Sequence, residues 1–174
     1  QKYYGSHRRN LQKGLPRSIL MVTLSDVDTG APLAVMSANL LSAMRTGAMP
    51  ALAAEYLAKK DSRVLSLIGP GVINKCAFRC YMEALPGIDT VKIKGSTPES
   101  RSARAMKEYI EAEYPQIKKI ILCSTLEEAC READVVSEAV SVTKAEMEEF
   151  KPDWFDKGTA VFSMGSFFVK EYEK

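Results

Sequence analysis

The sequence predicts an α/β protein with a doubly wound, mostly parallel sheet, preceded by a hairpin-plus-helix piece of a second domain. Three observations lead there. After Lys60, short runs of branched apolar residues alternate with longer stretches of helical periodicity, the pattern of βαβ crossovers. The first of those runs ends in Gly69-Pro70-Gly71, with a helical pattern opening at once. Before Lys60 the rhythm differs: two strand-like runs flank a turn-rich segment and lead into one long helical pattern. The expected division is therefore residues 1–60, a hairpin-plus-helix segment, and residues 61–174, a βαβ domain.

Residues 1–16 are polar and irregular, with Gly5, Gly14 and Pro16 as breakers. Residues 18–24 read as a buried strand, Asp26 to Gly30 as a turn, and residues 32–36 as the second strand of a hairpin. Residues 38–59 place Leu40, Leu41, Met44, Leu52 and Tyr56 at helical spacing, which predicts one helix, or two broken near Gly47 and Pro50. Strands follow at 63–68, 90–93, 119–123, 134–137 and 160–163. Helices are expected at 72–85, 98–113 and 126–132.

Composition narrows the function. With 46% hydrophobic and 26% charged residues the chain is globular, and its 174 residues suffice for a real core. A net charge of +2, without a basic run, gives no case for nucleic acid or an anionic membrane surface. No apolar run reaches the ~18 residues that span a bilayer. Four cysteines in a chain with a sizeable core read as reduced thiols of a cytoplasmic protein. Cys76 and Cys80 share a helical face, yet no His or further Cys completes a zinc tetrad, so no metal is expected. His7 is the single histidine, which removes His-pair metal sites and argues against a Ser-His-Asp triad.

The stretch from Leu67 to Ala77 carries the most chemistry. Gly69 suits a tight turn, and Gly71 lets the backbone approach a pyrophosphate. Val72 and Ile73 then begin a helix whose free N–H groups and positive dipole end face the phosphates. This is the Rossmann-type dinucleotide fingerprint in its required strand–turn–helix context, although Asn74 stands where Gly or Ala is usual. The same glycines also suit a purely structural turn in another α/β protein. Ser137, at the end of a later strand, is a further candidate cofactor contact. At the end of the second strand an NAD site places an acid on the ribose 2′-hydroxyl. Here Gly95, Ser96 and Thr97 follow Lys94, with Arg101 nearby, a set that accommodates a 2′-phosphate and favours NADP(H) over NAD(H). The alternative reading is that Lys94 and Arg101 are solvated surface charges.

The chain as a whole resembles the ornithine cyclodeaminase/mu-crystallin family. The resemblance is carried by Lys2-Tyr-Tyr-Gly5, Lys13-Gly-Leu-Pro-Arg17, Asp28-Thr-Gly-Ala-Pro32, Leu41-Ser-Ala-Met-Arg-Thr-Gly-Ala48, Ile68-Gly-Pro-Gly71, Ala133-Asp-Val-Val136 and Lys151-Pro-Asp-Trp154. The Arg-Thr-Gly-Ala block is its most specific element. It implies a longer protein in which a second α/β domain, built from both ends of the chain, binds a small amino acid or imine and forms a homodimer. The present stretch alone would then be inactive.

The resemblance further implies that Lys2 and Arg45 hold the substrate carboxylate, both as catalytic-site residues, and that Arg45 and Thr46 lie near the cofactor. Taken without it, Lys2 reads as a frayed end and Arg45 as an exposed helix residue. Cyclodeaminases of the family carry an aspartate after the last strand, and the matching stretch Met164-Gly-Ser-Phe-Phe168 puts Phe167 there. Without that carboxylate the general acid–base group of a deaminating cyclisation is missing. The expected function is an NAD(P)(H)-dependent oxidoreductase acting on a C–N centre. The alternatives are a cyclodeaminase-type lyase using NAD catalytically and a non-catalytic NADP-binding accessory subunit.

Overall fold

A computed structural model describes residues 1–140 and 149–165, and its packing divides the chain into two units, Gln1–Arg45 and Thr46–Lys174. The first unit holds a three-stranded antiparallel sheet of β1 (Lys2–Ser6), β2 (Ser18–Ser25) and β3 (Pro32–Ser37), in that order. The predicted hairpin is its β2–β3 half. The irregular segment expected over residues 1–16 instead supplies β1 and a 3-10 turn at Arg8–Lys13. Nothing in Lys-Tyr-Tyr-Gly-Ser alternates in polarity, so this strand arises from pairing with β2, Lys2 opposite Val22 through Ser6 opposite Ser18, a tertiary effect that periodicity does not register. The β2–β3 turn is closed by Asp26, whose Oδ1 accepts from the Thr29 N–H at 2.8 Å and the Thr29 hydroxyl at 2.7 Å.

Helix α1 (Asn39–Leu57) is continuous. Asn39 ties its start to β2: its Oδ1 accepts from the Leu20 N–H and its Nδ2 donates to Ser18 O, both at 2.8 Å. Pro50 lies inside the helix and removes one bond of the backbone ladder. Packing overrides it, because Ala51, Ala54 and Ala58 on the following turns bury into the core of the second unit. The same burial is why the packing division falls at Arg45/Thr46, inside α1, rather than near Lys60.

The second unit is a five-stranded sheet of β4 (Val64–Ile68), β5 (Thr90–Lys94), β6 (Lys119–Leu122), β7 (Val135–Glu138) and β8 (Ala160–Ser163). Its order is β6-β5-β4-β7-β8, and every pair is parallel. The connecting helices are α2 (Val72–Ala84), α3 (Arg101–Glu113) and α4 (Leu126–Cys130). α3 begins three residues later than its periodicity predicts, because the Ser100 side chain caps it by accepting from the Ala103 N–H.

Alternation along the strands feeds two cores. Leu65, Leu67, Val91, Ile93 and Val135 pack with α2, α3 and the end of α1, where Phe78 meets Tyr114 edge-on at 4.8 Å. Ile68 and Val136 point the other way, into Leu126, Ala129 and Cys130 of α4 and Phe150. With both faces covered the sheet is doubly wound. At its amino end Asp134 Oδ2 accepts from the N–H groups of Arg63 at 2.8 Å and Val64 at 3.0 Å, which fixes the β4–β7 register.

Gly47, in the Arg-Thr-Gly-Ala block, marks the crossing of α1 over α2. A Cβ there would lie 2.5 Å from Ala77 N and 2.8 Å from Cys76 C, both backbone atoms. On an open helix Gly→Ala stabilises by ~0.5–1 kcal/mol. At this crossing Gly47→Ala is expected to destabilise by ~1–3 kcal/mol, since backbone cannot step aside as a side chain does. A fall in the urea midpoint at unchanged slope checks this, and a raised midpoint contradicts the crossing.

Candidate nucleotide-binding site

The carboxyl ends of β4 and β7 are neighbours, and between them the strand order reverses direction. In open α/β sheets ligands bind in the crevice outside such a switch point. β4 leads into it through Gly69, whose φ of +77 is the left-handed region that favours glycine. A Cβ at Gly69 would also meet Val140 Cγ2 at 2.9 Å and Ala139 C and O at 3.0 Å, so the chain leaving β7 lies directly against the turn. The Gly69 N–H donates to Lys94 O at 2.9 Å, which ties the turn to β5 as well.

Gly71 has a different reason to be glycine. Its φ of −88 and ψ of −168 are extended backbone, and a Cβ there would meet nothing within 4 Å. The residue is the N-cap of α2, with no side chain to close over the helix start. The first bond of the helix runs from Lys75 N to Gly71 O at 2.9 Å. The N–H groups of Val72, Ile73 and Asn74 precede it and have no intrahelical acceptor. They point out of the positive end of a 13-residue helix beside an open approach, an arrangement that takes an anion such as a pyrophosphate.

Asn74 explains the departure from the usual fingerprint. It is fully buried, and its Nδ2 donates to Ile68 O at 2.8 Å, Gly69 O at 3.1 Å and Ser137 O at 3.2 Å. Its Oδ1 accepts from the Ser137 hydroxyl at 2.7 Å. Ser137 is itself buried, so its place is behind the turn rather than on its open side. Beyond it Glu138, also buried, accepts from the Ser163 hydroxyl at 2.7 Å and from the Val140 N–H, joining the ends of β7 and β8.

At the end of β5, Gly95 is buried, and a Cβ there would overlap the Ser100 hydroxyl that caps α3. Ser96 and Thr97 are exposed beside it, as is Arg101 at the first position of α3. Lys94 is buried, with Nζ donating to Gly95 O at 2.8 Å, and so is not an open surface charge. Lys92 turns away and binds Glu128 O and Arg131 O at the end of α4.

Of the predicted residues, Gly69, Gly71, Val72, Ile73 and Ser137 gather at the switch point, and Gly95, Ser96 and Thr97 stand at the adjoining strand end. Thr46 precedes the Gly47 crossing over α2. In the first unit Lys2 and Tyr4 share one face of the sheet, with Lys2 Nζ 5.7 Å from the Tyr4 ring centroid. The Tyr4 hydroxyl is 3.3 Å from Ser18 Oγ, and this hydrogen bond, then Ser6, Arg17 and Lys2, holds its phenol below the ordinary range. Arg45 is exposed on α1, and Phe167 lies outside the described residues. Among the described residues no group of three metal-ligating side chains converges, and no helix is long and apolar enough to cross a membrane. Sequence reasoning missed Asn74 as a connecting residue and Tyr4 as a neighbour of Lys2. The period-two spacing of Lys2 and Tyr4 signals the second once β1 is known to be a strand.

A parallel sheet ordered about a switch point, with a glycine turn feeding amides into it, defines a Rossmann-type α/β fold. The chain belongs to the ornithine cyclodeaminase/mu-crystallin family, whose model matches residues 1–171. It is 34% identical over 145 residues to an ornithine cyclodeaminase of Agrobacterium fabrum, covering 80% of this chain and 38% of that protein. A Thermococcus litoralis Δ1-pyrroline-2-carboxylate reductase, solved with NADH and L-proline, superposes with a TM-score of 0.82 at 30% identity, covering 94% of this chain and 48% of the other. An archaeal alanine dehydrogenase dimer with bound NAD gives 0.77 at 31% identity, with 92% and 47% covered. The chain thus spans half or less of the length of these relatives.

The two glycines separate stability from binding. Gly69→Ala, strained in φ and crowded by Ala139, is expected to cost ~1–3 kcal/mol of stability. Gly71→Val is expected to leave the unfolding midpoint nearly unchanged while weakening dinucleotide binding at least about tenfold. Equal effects of both on stability contradict the open approach at Gly71.

Proposed function

We propose that this chain is the NAD(P)(H)-binding portion of an oxidoreductase acting on the C–N centre of a small imine or amino acid, with NADP(H) preferred. The open approach at Gly71, with the Val72 and Ile73 amides behind it, is the observation that carries the reading. A cofactor held by this turn would supply or accept the hydride through its nicotinamide. The residues of the chain supply position and charge: the amides at the start of α2 hold the pyrophosphate, and Thr46 lies near it. Gly95, Ser96 and Thr97 receive the ribose end. Relatives of known structure bind NADH or NAD, and the named activities among them, pyrroline-2-carboxylate reductase and alanine dehydrogenase, both act on a carbon bearing nitrogen.

Preference for the 2′-phosphate rests on the end of β5, where hydroxyls and a glycine replace the acid of an NAD site and no carboxylate at 95–97 repels a phosphate. Lys94 uses one of its three ammonium hydrogens on Gly95 O, and Arg101 opens α3 nearby. Lys2 and Arg45 hold the substrate carboxylate, the arginine by a two-point fork and the lysine as second cation or proton source.

The complete enzyme is a homodimer on this reading, in a cytoplasmic, amino-acid-metabolising setting. Tyr3, Ile19, Met21 and Val35 form an exposed apolar face on the three-stranded sheet, the kind of patch that interfaces cover.

Calorimetric titration with NADPH and NADH tests the cofactor assignment. Tighter NADPH binding by about tenfold, ~1.4 kcal/mol, is expected, and a tenfold preference for NADH overturns it. In a chain of the relatives' full length, NADPH oxidation with cyclic imines, or with 2-oxo acids plus amines, is expected to be lost in Arg45→Ala. Bound cofactor without turnover across that panel favours the accessory-subunit reading instead.

A further inference from the structure

We propose that Asn74 is a positioning residue for the pyrophosphate: its side chain draws the carbonyls of the switch point inward so that only N–H groups face the phosphates. The inference rests on the reading of the Gly69–Gly71 turn as a pyrophosphate site. It adds a residue whose type departs from the fingerprint, where the third small position serves close helix–strand packing.

The carboxyl ends of parallel strands direct carbonyl oxygens toward the crevice that a nucleotide enters. Each is a partial negative charge, and a pyrophosphate beside them is repelled unless they are occupied. Ile68 O accepts from the Ala139 N–H at 2.9 Å, and Gly69 O from the Gly71 N–H at 2.8 Å. Each carbonyl has two lone pairs, and the Asn74 Nδ2 hydrogens reach the second acceptor site on both, and Ser137 O as well. Two hydrogens serve three carbonyls, so at least one is shared. The Ser137 hydroxyl in turn occupies Asn74 Oδ1, which fixes the amide's orientation with Nδ2 toward the carbonyls. The backbone N–H of Asn74 meanwhile belongs to the first turn of α2, on the donor side. One residue thus sorts acceptors to the inside and donors to the outside.

Alanine restores the usual small residue but strips these carbonyls of a donor. Aspartate keeps the shape but replaces the neutral amide donor with a negatively charged acceptor, setting a carboxylate against three carbonyls, so it is expected to be no better than alanine. Removing the Ser137 hydroxyl loosens the amide's orientation without creating a large cavity. AMP carries the adenosine end without a pyrophosphate bridge and is the probe that isolates the effect.

Calorimetry on the whole chain with NADPH, ADP and AMP decides the matter, with thermal unfolding run in parallel. Asn74→Ala is expected to weaken NADPH and ADP about tenfold and AMP less than about twofold. Ser137→Ala should shift them in the same ratio to a smaller extent, and it keeps the test available if the Asn74 variants do not fold. Equal losses on all three ligands, or none, overturn the positioning role and leave Asn74 a packing residue. Wild-type chain that binds none of the three instead overturns the reading of the turn on which the inference rests.

Discussion

A dinucleotide's pyrophosphate has to meet hydrogen-bond donors and no acceptors, and on the proposed reading one turn between β4 and α2 sets that condition. A strand ends in carbonyls and a helix begins in free amides, so the junction of the two is where donor and acceptor are closest to being confused. Gly69 turns the chain sharply enough to separate them, and its positive φ is what the turn requires. Gly71 then leaves the helix start uncovered. The strand carbonyls are turned to internal partners, Ala139 N–H, Gly71 N–H and the Asn74 amide.

The rest of the second unit keeps that turn in place. Tight packing holds α2 from behind: Gly47 brings α1 to within a backbone's width of Ala77, and Phe78 is wedged against Tyr114. From the side, β7 is registered to β4 by Asp134 at the amino end, and at the carboxyl end by Asn74 with Ser137. Val140, leaving β7, rests against Gly69 and is itself held by Glu138, which also grips Ser163 on β8. On the proposed reading, rigid framing of this kind lowers the ordering cost of binding, because the amides already point where the phosphates would arrive. A bulky substitution at Gly47 and a polar deletion at Ser137 act on the same turn by different routes.

Much of this was readable in the residues. The βαβ series was legible because buried parallel strands are written as continuous branched runs and their helices as amphipathic ones, both strong periodic signals. The glycine turn was legible because its chemistry leaves few residue types free. β1 was not, since its five residues carry no alternation and become a strand only through β2. α1 was left as one helix or two, because Pro50 argues locally for a break that the burial of Ala51, Ala54 and Ala58 overrides. Asn74 reads in sequence as a flaw in a motif. Two of its four side-chain hydrogen bonds go to Ser137, far along the chain, so only the fold reveals why a buried amide is tolerated there. Lys94 shows the converse: an apparent surface lysine is buried against its own strand end.

The central claim is that the first amides of α2 hold a pyrophosphate, and nitrogen-15 amide chemical shifts recorded during addition of ADP test it most directly. The account predicts that the largest shifts fall on Val72, Ile73 and Asn74, whose N–H groups have no intrahelical acceptor, and that adenosine, which lacks phosphate, leaves those three nearly unmoved. Saturable ADP binding with these amides undisturbed and the shifts concentrated elsewhere on the molecule would contradict it.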